Sequence, residues 1–239
     1  MYYTGQNLLK QYGTQVVLNL DEIKIPFGKC TVIMGPNGAG KSTLLRMLAF
    51  LDIEYGGNLF LRDLPVPKSQ EKLREYRCRS ALIWQRPVMF NMSVFDNVAL
   101  GLKLRGQVSN KTERAQRVEA ALARLGVEHL AKANAKRLSG GEVQKVSIAR
   151  SLVLEPELIF VDEPSSNLDV DSIDLLHSVL LEEKAKGRTI ILITHNFSEA
   201  QTLADYGVFL HQGQLVIAGD FPAVLNQPEF KNSSYWRYL

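Results

Sequence analysis

Short, continuously apolar runs punctuate the chain: "CTVIMG" at 30–35, "SALIWQ" at 80–85, "LIFVDE" at 158–163 and "TIILITH" at 189–195. None alternates between apolar and polar positions, as a strand with one solvated face would. Unbroken apolar strands suit a mostly parallel sheet covered by helices on both faces, so the pattern predicts an α/β fold. Near the N-terminus, "TQVVLNLDEIKIPFG" and "GGNLFLRD" alternate partially, with Gly28 and Gly57 at turns, and predict a small antiparallel β part. Between Arg86 and Leu154 the period becomes helical, in "SVFDNVALGLKLRG", "TERAQRVEAALARLG" and "SGGEVQKVSIARSLVL". The expected organisation is one domain: a core of residues 1–85 and 155–239 that includes the antiparallel part, with a helical subdomain, 86–154, inserted between core strands. No Gly/Ser linker or internal repeat divides the chain.

Each of the four apolar runs ends on a chemically useful residue: a glycine loop after Met34, then Gln85, the pair Asp162 and Glu163, and His195. A lone Gln or His after a strand is usually an ordinary loop residue. Ligands of open parallel sheets, however, bind beyond the carboxyl ends of the strands, so these four positions can converge on one site. The loop itself, "GPNGAGKST", satisfies G-x-x-x-x-G-K-[ST] through Gly35, Gly40, Lys41 and Ser42, between a strand and the helical run "STLLRMLAFL". Its glycines let backbone N–H groups turn inward around phosphate oxygens, the helix N-terminus adds partial positive charge, and Lys41 reaches the β and γ phosphates. Ser42 is the expected Mg²⁺ ligand. Asp162 is expected to hold the metal directly or through water, and Glu163, pointing elsewhere from the same strand end, to polarise the attacking water.

Composition adds exclusions. With 239 residues and 46% hydrophobic content the chain can fill a sizeable core. Its 28 basic and 25 acidic residues leave a net charge of +3, too near neutral to indicate nucleic-acid binding. The two cysteines, Cys30 and Cys78, have no ligand-spaced partners, which suggests neither a zinc site nor a disulfide framework. The opening "MYYTGQNLLKQYG" lacks the basic-then-apolar pattern of a leader, and no apolar run approaches the roughly 18 residues that span a bilayer.

The stretch "LSGGEVQKVSIARSLVLEPELIFVDEP" resembles the signature and Walker B segment of ABC (ATP-binding cassette) ATPases, and the likeness extends over nearly the whole chain. Ser139 and Glu142 also form an S-x-x-E capping box ahead of apolar positions at helical spacing, so a glycine-rich helix start can approach an anion. The resemblance implies a P-loop NTPase core that binds ATP and Mg²⁺. Gly35, Pro36, Asn37, Gly38, Ala39, Gly40, Lys41, Ser42 and Thr43 would cradle the phosphates, and Tyr12 would stack on adenine. Gln85 would join Ser42 and Asp162 at the metal, and Glu163, His195 and Gln85 would serve hydrolysis. Ser139, Gly140, Gly141 and Glu142 would face the ATP of a second copy, with Asp169 of the "SSNLD" segment across the same interface. Val143, Lys145 and Asn167 depart from the family's usual residues without removing a catalytic group.

Two classes of work follow from such an ATPase: driving a membrane importer, or acting on nucleic acid or ribosomes. No long coiled coil separates the phosphate loop from the signature, and only one phosphate loop is present, which disfavours the second. "WQRPVMFNMSVFDNVALGL" resembles cassettes of oxyanion importers, tungstate or molybdate first and phosphate next. Pro87, Val88, Met89 and Phe90 are expected to offer an apolar dock to a permease, and Lys103, Arg105, Lys111, Arg114 and Arg117 to form a solvated helical face. The implied setting is the cytoplasmic face of a bacterial or archaeal membrane, with a homodimer, permease subunits and, indirectly, a substrate-binding protein as partners. The tail "EFKNSSYWRYL" is expected to be too short for a regulatory domain.

Overall fold

Why the four apolar runs do not alternate is visible in how each strand packs. The computed structural model describes residues 2–106, 108–165 and 168–227. Along the chain, β1 (Tyr2–Tyr12) and β2 (Gln15–Pro26) form a long hairpin, and β3 (Cys30–Met34) leads through the glycine loop into α1 (Lys41–Leu48). Then come β4 (Gly56–Leu61), β5 (Leu64–Pro65), α2 (Leu73–Cys78) and β6 (Ser80–Ile83). Three helices follow, α3 (Val94–Arg105), α4 (Lys111–Arg124) and α5 (Gly140–Leu152). The chain returns as β7 (Leu158–Asp162), α6 (Val170–Ala185), β8 (Thr189–Ile193), α7 (Phe197–Leu203), β9 (Tyr206–His211), β10 (Gln214–Asp220) and α8 (Phe221–Leu225).

The central sheet runs β10-β9-β3-β8-β7-β6, parallel from β9 to β6, with β10 antiparallel at the edge. Side chains of a strand point alternately to its two faces. Val32 and Met34 of β3, Ile159 and Val161 of β7, and Ile190 and Leu192 of β8 enter one core with helices α3 to α6. Ile33, Leu158, Phe160, Ile191 and Ile193 enter the other, against α1 and the smaller sheet. Both faces are buried, so most positions are apolar, with Thr31 of β3, Ser80 of β6 and Thr189 of β8 as buried polar exceptions.

The smaller antiparallel sheet has the order β2-β1-β4-β5. It contains a strand the sequence pattern did not yield, because β1 carries Gly5, Gln6 and a left-handed Asn7, with a register shift between Gln6 and Leu9 against β4 that breaks the period of two. β9 and β10 were likewise unanticipated. Ser166 and Asn167 of "SSNLD" and the closing segment 228–239 lie outside the described residues.

Two surface expectations need correction. Met89 is 4% exposed and belongs to the core, although Val88 and Phe90 are exposed at 70% and 49%. The basic residues of α3 and α4 are not simply solvated. Arg105 donates to the carbonyls of Cys78, Ser80 and Arg77 at 2.5, 2.9 and 3.2 Å, which anchors the C-terminal end of α3 to the core. Arg114 donates to the Val108 carbonyl, and Arg117 pairs with Glu113 and Glu155.

Candidate functional site

The glycine loop closes on itself before any ligand is considered. Ala39 N–H donates to the Pro36 carbonyl at 3.2 Å, and Gly40 takes a left-handed φ of 95° at the start of α1. A Cβ on Gly40 would lie 2.7 Å from a Leu18 methyl and 2.9 Å from the Val17 carbonyl oxygen, and one on Gly35 would strike the Leu210 carbonyl oxygen. Glycine is therefore required at both places by the fold itself. The result is a cleft of 220 Å³ lined by residues 37–43, Val17, Glu163 and His195.

Lys41 is buried, and its ammonium donates to the carbonyls of Gly35 at 2.8 Å and Pro36 at 2.9 Å. Burial lowers its pKa, and the carboxylates of Glu163 and Asp162 oppose that shift. Asp162 moves the other way: burial and the charge of Glu163 raise its carboxyl, against Arg46, Lys41 and a hydrogen bond with Ser42. The Ser42 hydroxyl and the Asp162 carboxylate thus lie near enough to influence one another. Hard oxygen donors of this kind fit Mg²⁺, which takes few protein ligands beside phosphate oxygens, so the residues present suit that ion.

Glu163 occupies a left-handed backbone position, φ 43°, just past the end of β7, with its N–H bonded to the Ile193 carbonyl at 2.9 Å. Its two carboxylate oxygens are held from different strands. Gln85, after β6, donates to Oε2 at 2.6 Å, and His195, after β8, places Nε2 2.9 Å from Oε1. Neighbouring strand ends therefore bring together three residues separated by 78 and 32 positions in the chain, as their placement after apolar runs led one to expect.

Tyr12 stands at the end of β1, its ring 47% exposed and its hydroxyl donating to Asp52 at 2.9 Å. Ser139 caps α5 in a complete capping box: its N–H and hydroxyl donate to Glu142 Oε2 at 2.8 and 2.7 Å, and Glu142 N–H returns to Ser139 Oγ. These hydrogen bonds lower the Glu142 carboxyl. Asp169 caps α6 by accepting from Ser172 N–H at 2.8 Å. Neither Ser139 to Glu142 nor Asp169 lines the cleft.

Sequence reasoning missed Gln144, which is 1% exposed and donates at 3.3 Å to the carbonyl of Trp84, the residue before Gln85. It ties the signature helix to the strand end at the site. A buried polar residue inside an apolar helix face was its only signal.

A phosphate loop between a strand and a helix, beside a neighbouring strand that ends in two carboxylates, defines a P-loop nucleotide hydrolase. The chain belongs to the ABC transporter family, whose model matches residues 18–166. It is 35% identical over 222 residues to the tungstate uptake system ATP-binding protein TupC of Peptoclostridium acidaminophilum, covering 92% of this chain and 100% of the relative. It is 33% identical to the phosphate import ATP-binding protein PstB of Thermotoga maritima, covering 98% and 95%. The dimeric bacterial ABC transporter cassette MJ0796 superimposes with a TM-score of 0.83 at 25% identity, covering 92% of this chain and 98% of that one. The chain is accordingly an ATP-binding ATPase of the importer type. Among the described residues no helix is long and apolar enough to cross a membrane.

Proposed function

We propose that two copies of this chain close around two Mg-ATP and drive a permease that imports an oxyanion, tungstate or molybdate before phosphate. The observation that carries the hydrolytic half is the Glu163 carboxylate, fixed by Gln85 and His195 at the mouth of the phosphate cleft. Lys41 and the backbone N–H groups along 35–43, Pro36 excepted, hold the phosphates, and Tyr12 stacks on the base. Ser42 and Asp162, with Gln85, hold Mg²⁺, which when bound neutralises phosphate charge. Glu163 polarises the attacking water, and His195 contacts the γ-phosphate. Ser139 to Glu142 meet the second copy's nucleotide, with Asp169 beside that interface. The core and helical subdomain, divided at 86 and 154, move as the parts that this closure rearranges.

The permease half is supported by a groove of 390 Å³ whose lining includes Trp84, Val88, Phe90, Leu104 and Arg150. Leu104 is 72% exposed, and Arg150 braces the groove by donating to the Val88 carbonyl at 2.9 Å. Exposed apolar surface of this kind marks a binding face. It also adjoins Gln85, so nucleotide state can reach it through one residue. The names of the relatives support uptake of tungstate or phosphate. The test is purification of the tagged chain from its source membranes in mild detergent. A multi-helix permease is expected to accompany the wild type and to be lost from Leu104→Asp, and a substrate-binding protein of the same system should bind tungstate or molybdate in calorimetry. Recovery of ribosomes or nucleic-acid proteins with no permease would overturn the transport reading.

A further inference from the structure

The Tyr12 ring is held at two points by residues to which no role has yet been given. Lys10 is 3% exposed, and its ammonium donates to Asp52 Oδ1 and to the Glu54 carbonyl, both at 2.7 Å. The other oxygen of the same carboxylate, Oδ2, accepts from the Tyr12 hydroxyl at 2.9 Å. The ammonium also lies 4.8 Å from the centroid of the Tyr12 ring. A cation thus engages the ring while a carboxylate grips its tip.

Asp52 is well placed to act as the fixed point. Its N–H bonds the Arg46 carbonyl of α1 at 3.2 Å, and Glu54 N–H donates back to Oδ1 at 3.3 Å. Burial alone would raise the Asp52 carboxyl, but hydrogen bonds from Lys10 and Tyr12 and the lysine charge bring it below its usual range. The helix that Asp52 follows begins at Lys41, so the end of β1 is tied to the far end of the element that carries the phosphate loop. Across the hairpin Tyr12 pairs with Gln15, two residues before Val17 in the cleft wall. A leucine would fill the Lys10 position with no charge to desolvate, so the effect of the ammonium falls on the groups it touches.

We propose that Asp52 and Lys10 are positioning residues for Tyr12, holding its ring where it receives the purine ring of ATP. This rests on the reading of Tyr12 as the base-stacking aromatic. An exposed tyrosine without the tether would distribute among rotamers and lose part of its stacking energy to ordering. Asp52 and Lys10 therefore set affinity for the base and leave affinity for the phosphates unchanged.

Calorimetry on the full chain with ATP and with inorganic triphosphate, both with Mg²⁺, tests this. Asp52→Ala and Tyr12→Phe are each expected to weaken ATP about three- to tenfold. Their combination should be no weaker than the worse single change, because both cut one tether. Triphosphate binding should stay unchanged in all three, which also reports an intact fold. Asp52→Asn keeps one acceptor where the carboxylate uses two and removes the charge facing buried Lys10, so it should recover the ATP affinity only in part. Equal loss of ATP and triphosphate binding in Asp52→Ala, or fully additive effects in the double variant, would overturn the inference. Tyr12→Ala separates the two levels, with an expected loss of about tenfold or more for ATP. If that variant binds ATP as the wild type does, the base-stacking reading itself fails; if it loses affinity while Asp52→Ala does not, only the positioning role is refuted.

Discussion

Two glycine-rich segments open helices in this chain, and their glycines exist for different reasons. In the phosphate loop, Gly35 and Gly40 are demanded from within: a side chain at either would collide with the protein's own backbone or core, and both have positive φ. At the start of α5, a Cβ on Gly140 would meet nothing within 4 Å, and its φ is not one that disfavours side chains. Helix propensity alone would favour alanine there. The capping box is built from Ser139 and Glu142 and needs no glycine between them. No described residue of the chain fills the space that Gly140 leaves open. One segment forms a cleft with Glu163 and His195, and the other presents the same chemistry, a helix N-terminus with bare backbone, to whatever is brought against it.

The comparison breaks first at Glu163. Glu163→Gln retains an amide that Gln85 and His195 can still engage but cannot take charge from water, so hydrolysis should fall about 10²- to 10⁴-fold, or about 3–5 kcal/mol of transition-state stabilisation. ATP binding measured in the same preparation should persist. Steady-state phosphate release near the wild-type rate would remove Glu163 from the chemistry.

Gly140→Val sharpens the comparison at the other segment. Since a Cβ at Gly140 meets no described residue within 4 Å and valine is no worse than glycine in a helix, the melting temperature should not fall. Single-site ATP affinity should match the wild type. In the proposed dimer the second copy's nucleotide approaches this backbone, and on that reading hydrolysis should drop about 10- to 100-fold. A variant that hydrolyses normally would show that nothing docks closely at Gly140, and one that unfolds would show that the glycine serves its own chain after all.

Much of this arrangement was legible in the sequence because strand ends are legible. "SALIWQ", "LIFVDE" and "TIILITH" become β6, β7 and β8, and their terminal Gln85, Glu163 and His195 meet because parallel neighbours end at the same level. The tether of Tyr12 was not legible, since Asp52 lies 40 residues away on a turn that no periodicity marks. Nor was β1, whose shift in register disguises its alternation, or the core position of Met89, which sits between two exposed neighbours that share its apolar character. Local patterns report which face a residue takes within an element. They do not report which remote turn completes its hydrogen bonds.

The smallest expected effects separate the two segments by the sign of their carboxylates. Asp162, raised by burial and by Glu163, favours the folded state when protonated, so its contribution is present below its unfolded value of about 4 and is lost as pH rises through the higher folded value. At neutral pH its ionised form costs stability. Glu142, lowered by hydrogen bonds from Ser139, is the reverse: it stabilises above its unfolded value of about 4.3, and that contribution is lost as pH falls through the folded value. Asp162→Asn should therefore raise the melting temperature at pH 7 by about 1–3 °C, and Glu142→Gln should lower it by a similar or smaller amount, discounted for the exposure of the cap. On acidification the Asp162→Asn gain should shrink as the raised carboxyl takes up its proton, and the Glu142→Gln deficit should vanish as pH falls through the lowered folded value. Melting curves of both variants from pH 7 to pH 4 check the two signs. An Asp162→Asn protein less stable than wild type at neutral pH, or a Glu142→Gln protein more stable, would mean that the site carboxylate carries no strain that the cap carboxylate lacks, and the division between a charge held for chemistry and one held for the helix would fail.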